Sequence, residues 1–211
     1  MNCNLDKYFE VAIALTKEAG KIIRQRIWQN KSVLTKASEI DFVTETDQQV
    51  EKLLIGELSS SFPEHQFIGE ESTAAGKKVE LSDAPTWVID PVDGTMNFVH
   101  GYPSCCISLA LLIQKEAKIG IVYNPVVEQL FTARQGLGAC LNENRIQVSN
   151  KTDISQALLG IEFGSSRDPE KIKVVLENVR NLYPVSHGIR AAGSAAINMA
   201  MVALGGIDAY F

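Results

Sequence analysis

Near the N-terminus apolar residues recur every three or four positions. Leu5, Phe9, Ala12, Ile13, Ala19, Ile22, Ile23 and Ile27 line one stripe and predict a helix from about Leu5 to Gln29. A second stripe, Val50, Leu53, Leu54 and Leu58, predicts a helix opening after Thr46, with Thr46 as N-cap, Gln49 in the capping-box position and Phe62-Pro63 at its close. The texture then changes. Gln66–Gly69 and Thr86–Ile89 are short apolar runs followed at once by acids, and Ser104–Gln114, Ala117–Asn124 and Glu128–Arg134 read as successive strands joined by tight turns. Arg145–Ser149 and Ala157–Phe163 add two more strands. Pro169–Leu182 reads as an amphipathic helix with Ile172, Val175, Leu176 and Val179 inward, and Ala195–Leu204 as a helix of small residues. Ile207–Phe211 looks like the start of a strand, which leaves two readings open: a terminal strand pairing at a sheet edge, or a chain that stops partway through its fold. Without repeat or linker, the order of helices and strands predicts one layered α/β domain over residues 1–211.

Composition narrows the function classes. Hydrophobic residues at 45% and charged residues at 21% describe a globular chain rather than a disordered one. With 20 basic and 25 acidic residues the net charge is −5, so the basic footprint of a nucleic-acid binder is missing. No apolar run is long enough to span a bilayer, and Met1–Asp6 lacks the layout of a signal peptide, so a soluble cytoplasmic protein without a membrane partner is expected. Cys3, Cys105, Cys106 and Cys140 show no metal-binding spacing and read as reduced structural thiols, because a bridge between adjacent strand residues would be strained.

The placement of the acids carries the chemistry. Asp41 and Asp47 flank Phe42-Val43-Thr44-Glu45-Thr46; Glu70 and Glu71 follow one predicted strand directly; Asp90 and Asp93 follow another in Asp90-Pro91-Val92-Asp93-Gly94-Thr95. Acids at strand ends project into the crevice where sites form in α/β sheets. Carboxylates converging without Lys or Arg between them resist ionisation, and a divalent cation resolves that conflict. Oxygen donors alone favour Mg²⁺ over Zn²⁺. Gly94 permits close approach of a ligand, and a helix opening near Thr95 would offer free N–H groups to an anion beside the metal, the pairing that phosphoryl hydrolysis requires. Taken singly each acid has an ordinary reading as a turn, cap or solvated loop residue.

At these residues the sequence closely resembles the inositol monophosphatase family, the Mg²⁺-dependent, lithium-sensitive phosphatases of inositol metabolism. The blocks are Asp41–Asp47, Phe67–Ser72, Trp87–Gly101 and Gly193–Met199, the last leading to Gly206–Tyr210. The resemblance implies the alternating helix and sheet layers of the sugar phosphatases, a homodimer, and hydrolysis of myo-inositol monophosphates or related phosphate monoesters. It implies two to three Mg²⁺ ions: one held by Glu70, Asp90 and the Val92 carbonyl, a second shared by Asp90 and Asp93, a third by Glu70 through waters. It gives Thr95 and Glu70 the task of orienting and deprotonating the attacking water, with Asp47 accepting from the Thr95 hydroxyl. The N–H groups of Gly94 and Thr95 would hold the phosphate, and Asp93 with Gly193, Ser194 and Ala195 would meet the inositol hydroxyls.

Relative to the family, the expected C-terminal layer is incomplete, since the strand around Asp208–Phe211 would run on to further site residues. The rival expectation is therefore a truncated chain that retains metal or subunit binding with weak or no turnover. Lys36 reads either as a neighbour of the metal-bound waters or as a solvated lysine, Glu71 as a structural acceptor, His100 as a loop hydrogen-bonding group, and His65 and His187 as surface or strand-end residues.

Overall fold

The structure, a computed structural model, describes residues 2–31, 33–35 and 42–211; Lys36, Asp41 and the side chain of Cys3 lie outside the described residues. The chain opens with helix α1 (Asn2–Arg26) and a two-stranded antiparallel ribbon, β1 (Val33–Thr35) and β2 (Phe42–Thr44). Next come α2 (Glu45–Ser61), β3 (Gln66–Gly69), the short helix α3 (Glu70–Ala74), β4 (Thr86–Asp93) and the short helix α4 (Thr95–Val99). Five strands follow: β5 (Cys106–Ile113), β6 (Glu116–Asn124), β7 (Gln129–Arg134), β8 (Gly138–Leu141) and β9 (Asn144–Ile146). The remainder is β10 (Leu158–Gly160), α5 (Pro169–Leu182), β11 (Gly188–Arg190), α6 (Ala195–Leu204) and β12 (Ala209–Tyr210).

β3 to β9 form a seven-stranded sheet in chain order, with β3 and β4 parallel and every other pair antiparallel. Alternation along the strands divides the side chains between two faces. Trp87 and Ile89 of β4, Ile107, Leu109 and Leu111 of β5, and Ile119 and Ile121 of β6 point to one face, where Ala19 and Ile23 of α1, with Ile27 just beyond it, and Val50, Leu54 and Leu58 of α2 close the main core. On the opposite face α6 lies against β5 and β6, its Ala196 and Ile197 packed with Cys106. The adjacent cysteines sit one in each layer: Cys105 joins the main core and Cys106 the α6 cluster, and both are free, as is Cys140. Burial pushes the Cys105 thiol up to about 12, so it stays protonated and inert. β10 is the centre of a second, parallel sheet in the order β11-β10-β12. Helices and a mixed sheet thus alternate in layers, the expected α/β class.

Several expectations are corrected. The strand expected over Arg145–Ser149 shortens to β9, and the one over Ala157–Phe163 to β10; β8 and β11 were not anticipated. Helix α5 begins and ends as expected, with Asp168 as N-cap and Pro169 in its first turn, but its apolar stripe is only partly inward, Val175 and Val179 being half-buried. Ile172 and Leu176 are exposed, because no described element covers that side of the helix. Among the described residues no helix is long and apolar enough to cross a membrane.

His65 lies at the strand end, as expected, but is half-buried rather than on the surface. Its Nδ1 accepts from the Trp87 indole N–H at 3.0 Å, and its ring stacks on Phe62 at 5.1 Å between centroids. A protonated Nδ1 cannot accept that bond, and burial lowers the His65 pKa. The unfolded chain therefore binds the proton more readily, and stability is expected to fall as pH drops below the ordinary histidine value of about 6.5 and through the lowered folded value. Thermal melting from pH 8 to 5 checks this: His65→Gln, which keeps an acceptor for the indole and does not titrate, is expected to flatten the acid-side loss.

Candidate active site

The local chemistry of β4 brings its two aspartates together. Residues three apart on a regular strand face opposite sides. Here a step of three on β4, from Asp90 to Asp93, spans a step of two on β5, from Ser108 to Cys106. The extra residue is a β-bulge at Pro91-Val92, where the proline has no N–H to give to the ladder, and it returns Asp93 to the side of Asp90. Asp90 Oδ1 accepts from the Val92 N–H at 3.1 Å, and its carboxyl shares a hydrogen bond with Glu70, the first residue of α3. Burial, then the charge of Glu70, then that of Asp93, push Asp90 up to about 9. Without a cation, Asp90 therefore favours its protonated form near neutral pH. Among the described residues no three His, Cys, Asp or Glu side chains close on one point, so a cation here would rest on carboxylate pairs supplemented by backbone oxygen. Such all-oxygen donors fit a hard divalent ion.

Asp47 is tied to the same region from α2. The expected capping box is shifted by two residues: Thr44, whose backbone is extended at the end of β2, is the N-cap, and Thr46 is already helical. Thr44 Oγ accepts from the Thr46 N–H at 3.2 Å, while Asp47 Oδ2 accepts the Thr44 N–H at 3.0 Å and the Thr44 hydroxyl. The other oxygen, Oδ1, lies 3.3 Å from the Thr95 hydroxyl, which is also 2.9 Å from the Val92 carbonyl. One hydroxyl proton serves only one of these acceptors at a time. Burial raises the Asp47 pKa against the lowering effect of the bonds from Thr44.

Gly94 caps α4 in a left-handed conformation (φ 88°); a Cβ there would fall 2.9 Å from the Ser104 carbonyl oxygen and 3.0 Å from that of Gly193, so glycine is required. Beyond it opens a cavity of about 530 Å³, with Asp93, Gly94 and Thr95 on one side and Gly193, Ser194 and Ala195 on the other. Ser194 is the N-cap of α6 and donates its hydroxyl proton to Asp93 Oδ2 at 2.5 Å, which also accepts the Ala196 N–H at 2.7 Å. These bonds occupy Oδ2 of Asp93 and not Oδ1.

The sequence pattern that defines the inositol monophosphatase family matches residues 4–211. The chain belongs to that family. It is 46% identical to inositol monophosphatase 1 of Homo sapiens over 203 residues, which is 96% of this chain and 73% of that protein. Among solved structures, the Thermotoga maritima IMPase superposes with a TM-score of 0.84 at 30% identity, over 95% of this chain and 74% of that one. A staphylococcal IMPase-II solved with inositol monophosphate bound gives 0.79 at 29% identity, over 97% and 72%. Family and structural likeness accordingly make the chain a phosphatase, a hydrolytic enzyme.

The candidate residues Asp47, Glu70, Asp90, Val92, Asp93, Gly94, Thr95, Gly193, Ser194 and Ala195 lie in this one region; Lys36 and Asp41 lie outside the described residues. His100 is exposed at the end of α4 and His187 is exposed ahead of β11. Sequence reasoning missed Glu51, Asn97 and Glu162. Asn97 donates to the Ser104 and Ala192 carbonyls at 2.7 and 2.8 Å; Glu162 accepts from the Gly193 N–H at 2.8 Å and from the Asn198 amide at 2.5 Å. Glu162 carried the same signature as Glu70 and Asp90, an acid just past an apolar strand. Glu51 lies one helical turn after Asp47 on the same face of α2, but that spacing does not reveal its partners, which are backbone N–H groups.

The raised Asp90 makes a stability prediction. Between the unfolded aspartate value of about 3.9 and the folded value of about 9 the native protein holds the extra proton, so metal-free stability falls as pH rises, by up to about 1.4 kcal/mol per pH unit. Asp90→Asn keeps an acceptor for Val92 and a donor for Glu70 without titrating. Melting in chelator between pH 6 and 9 is expected to show a decline for wild type and a flatter, higher curve for Asp90→Asn; parallel curves would contradict the assignment.

Proposed function

We propose that this inositol monophosphatase-family chain hydrolyses myo-inositol monophosphates to inositol and phosphate with Mg²⁺. The observation that carries this reading is the buried Asp90 carboxyl set against Glu70 and Asp93 beside the Gly94 cavity, a charge conflict that a divalent cation relieves. Glu70, Asp90 and the Val92 carbonyl would hold one ion, Asp90 and Asp93 a second, and Glu70 a weaker third through waters. When bound, Mg²⁺ supplies Lewis-acid polarisation of the phosphoryl oxygens and eases deprotonation of water.

The chain's own groups do the rest. The N–H groups of Gly94 and Thr95, at the start of α4 where helix geometry leaves donors free, hold the phosphate. The Thr95 hydroxyl accepts a hydrogen bond from the attacking water and passes its own proton toward Asp47 Oδ1, releasing the Val92 carbonyl from its 2.9 Å bond. Glu70 takes the water proton as the new P–O bond forms and the ester P–O bond breaks; the inositol oxygen leaves with the bonding pair and takes a proton from solvent water. Burial raises Asp47 and so suits it to sit at the end of this relay. Asp93 and the Gly193-Ser194-Ala195 turn face the sugar hydroxyls. The bound ligand of the staphylococcal IMPase-II supports the substrate class. Lithium sensitivity, a homodimer and a cytoplasmic setting belong to the same reading.

Phosphate release from inositol 1-phosphate tests it. Wild type with Mg²⁺ is expected to turn over, chelator to abolish release, and Asp90→Asn to lower it by about 100-fold or more. Activity that survives Asp90→Asn would overturn the site assignment. Mg²⁺ uptake without phosphate release would favour the second reading, a chain that retains metal binding only.

A further inference from the structure

Glu51 is a buried carboxylate on α2, 5% exposed, that takes no part in the chemistry described above. Its Oε2 accepts the Glu71 N–H at 2.7 Å and its Oε1 the Ser72 N–H at 2.9 Å. These are first-turn donors of α3, which no intrahelical acceptor can satisfy. The N-cap of α3 is Gly69, which has no side chain to serve them. The reason for a glycine there is also visible: a Cβ would lie 2.4 Å from the Glu51 carboxyl carbon. A helix of only five residues does not hold itself in water, so the orientation of α3 depends on what grips its ends. Glu70 is the first residue of that helix, set between Gly69 and the two N–H groups that Glu51 holds.

We propose that Glu51 is a positioning residue of the metal site: it holds the backbone that follows Glu70 and packs against Gly69 before it, so that the Glu70 carboxylate meets Asp90 in ligating geometry. The inference rests on the reading of Glu70 as a metal ligand. α2 then grips the site at two points one turn apart, Asp47 through Thr95 and Glu51 through the Glu71 and Ser72 N–H groups. A carboxylate is needed because both partners are donors. Glutamine offers one acceptor and one NH₂, so Glu51→Gln sets a donor against a buried N–H and frees one side of α3.

The test is Mg²⁺ affinity by titration calorimetry on the full chain, for wild type, Glu51→Gln, Glu70→Gln and the double variant. Circular dichroism establishes that each is folded. Glu51→Gln is expected to weaken Mg²⁺ binding by about 10- to 100-fold. Because Glu51 acts through Glu70, the double variant is expected to bind no more weakly than Glu70→Gln alone. A residue that only stabilised the fold would lower the melting temperature and leave affinity unchanged. Wild-type affinity in Glu51→Gln, or a double variant whose loss is the product of the two single losses, would overturn the proposal. If Glu51→Gln does not fold, Glu51→Asp keeps the charge and both acceptors, withdraws them by one methylene and carries the same comparison. A wild-type chain that takes up no Mg²⁺ would instead overturn the reading of the site, and this proposal with it.

Discussion

Burial of mutually repelling carboxylates at the ends of β3 and β4 is the constraint around which the site is organised. Burial first, then the charges of Glu70 and Asp93, push Asp90 up to about 9. The fold contains this by holding the acids through one oxygen and leaving the other to the site. Asp47 gives Oδ2 to the cap of α2 and Oδ1 to Thr95; Asp93 gives Oδ2 to Ser194 and Ala196; Asp90 gives Oδ1 to the Val92 N–H. The acids proposed for the chemistry are thus also the caps and turn acceptors of the local structure. Their structural and chemical readings are two halves of one carboxylate.

Four helices begin at this place. The starts of α2, α3, α4 and α6 meet the cluster through Asp47, Glu70, Gly94-Thr95 and Ser194 respectively. Helix N-termini present unpaired N–H groups and partial positive charge, which is favourable beside anions. On the proposed reading, a phosphate would be received there with no Lys or Arg at its centre. The β-bulge at Pro91-Val92 turns Asp93 into the same crevice, and Gly94 lets the Gly193 turn close over it.

Much of this was legible along the chain. Acids directly after apolar runs located the site, because strand ends deliver side chains to one crevice, and the long alternating strands β5, β6 and β7 showed their period plainly. What escaped has physical causes. The parallel sheet of β10, β11 and β12 is built from two- and three-residue strands, too short for alternation to register. Thr44 and Thr46 each stand three residues ahead of an Asp or Gln, and only the extended backbone at the end of β2 separates them. The amphipathic period of α5 was correct as helix but misleading as burial, since the described structure leaves Ile172 and Leu176 exposed. Glu51 was hidden because its partners are backbone N–H groups, which leave no trace in side-chain pattern.

The central claim is that Asp90 holds a proton which a cation replaces. Proton release on Mg²⁺ binding measures it directly, by titration calorimetry near pH 7 in buffers of different ionisation enthalpy. The account predicts about one proton released per wild-type chain and none from Asp90→Asn. Mg²⁺ binding to wild type without proton release would contradict it.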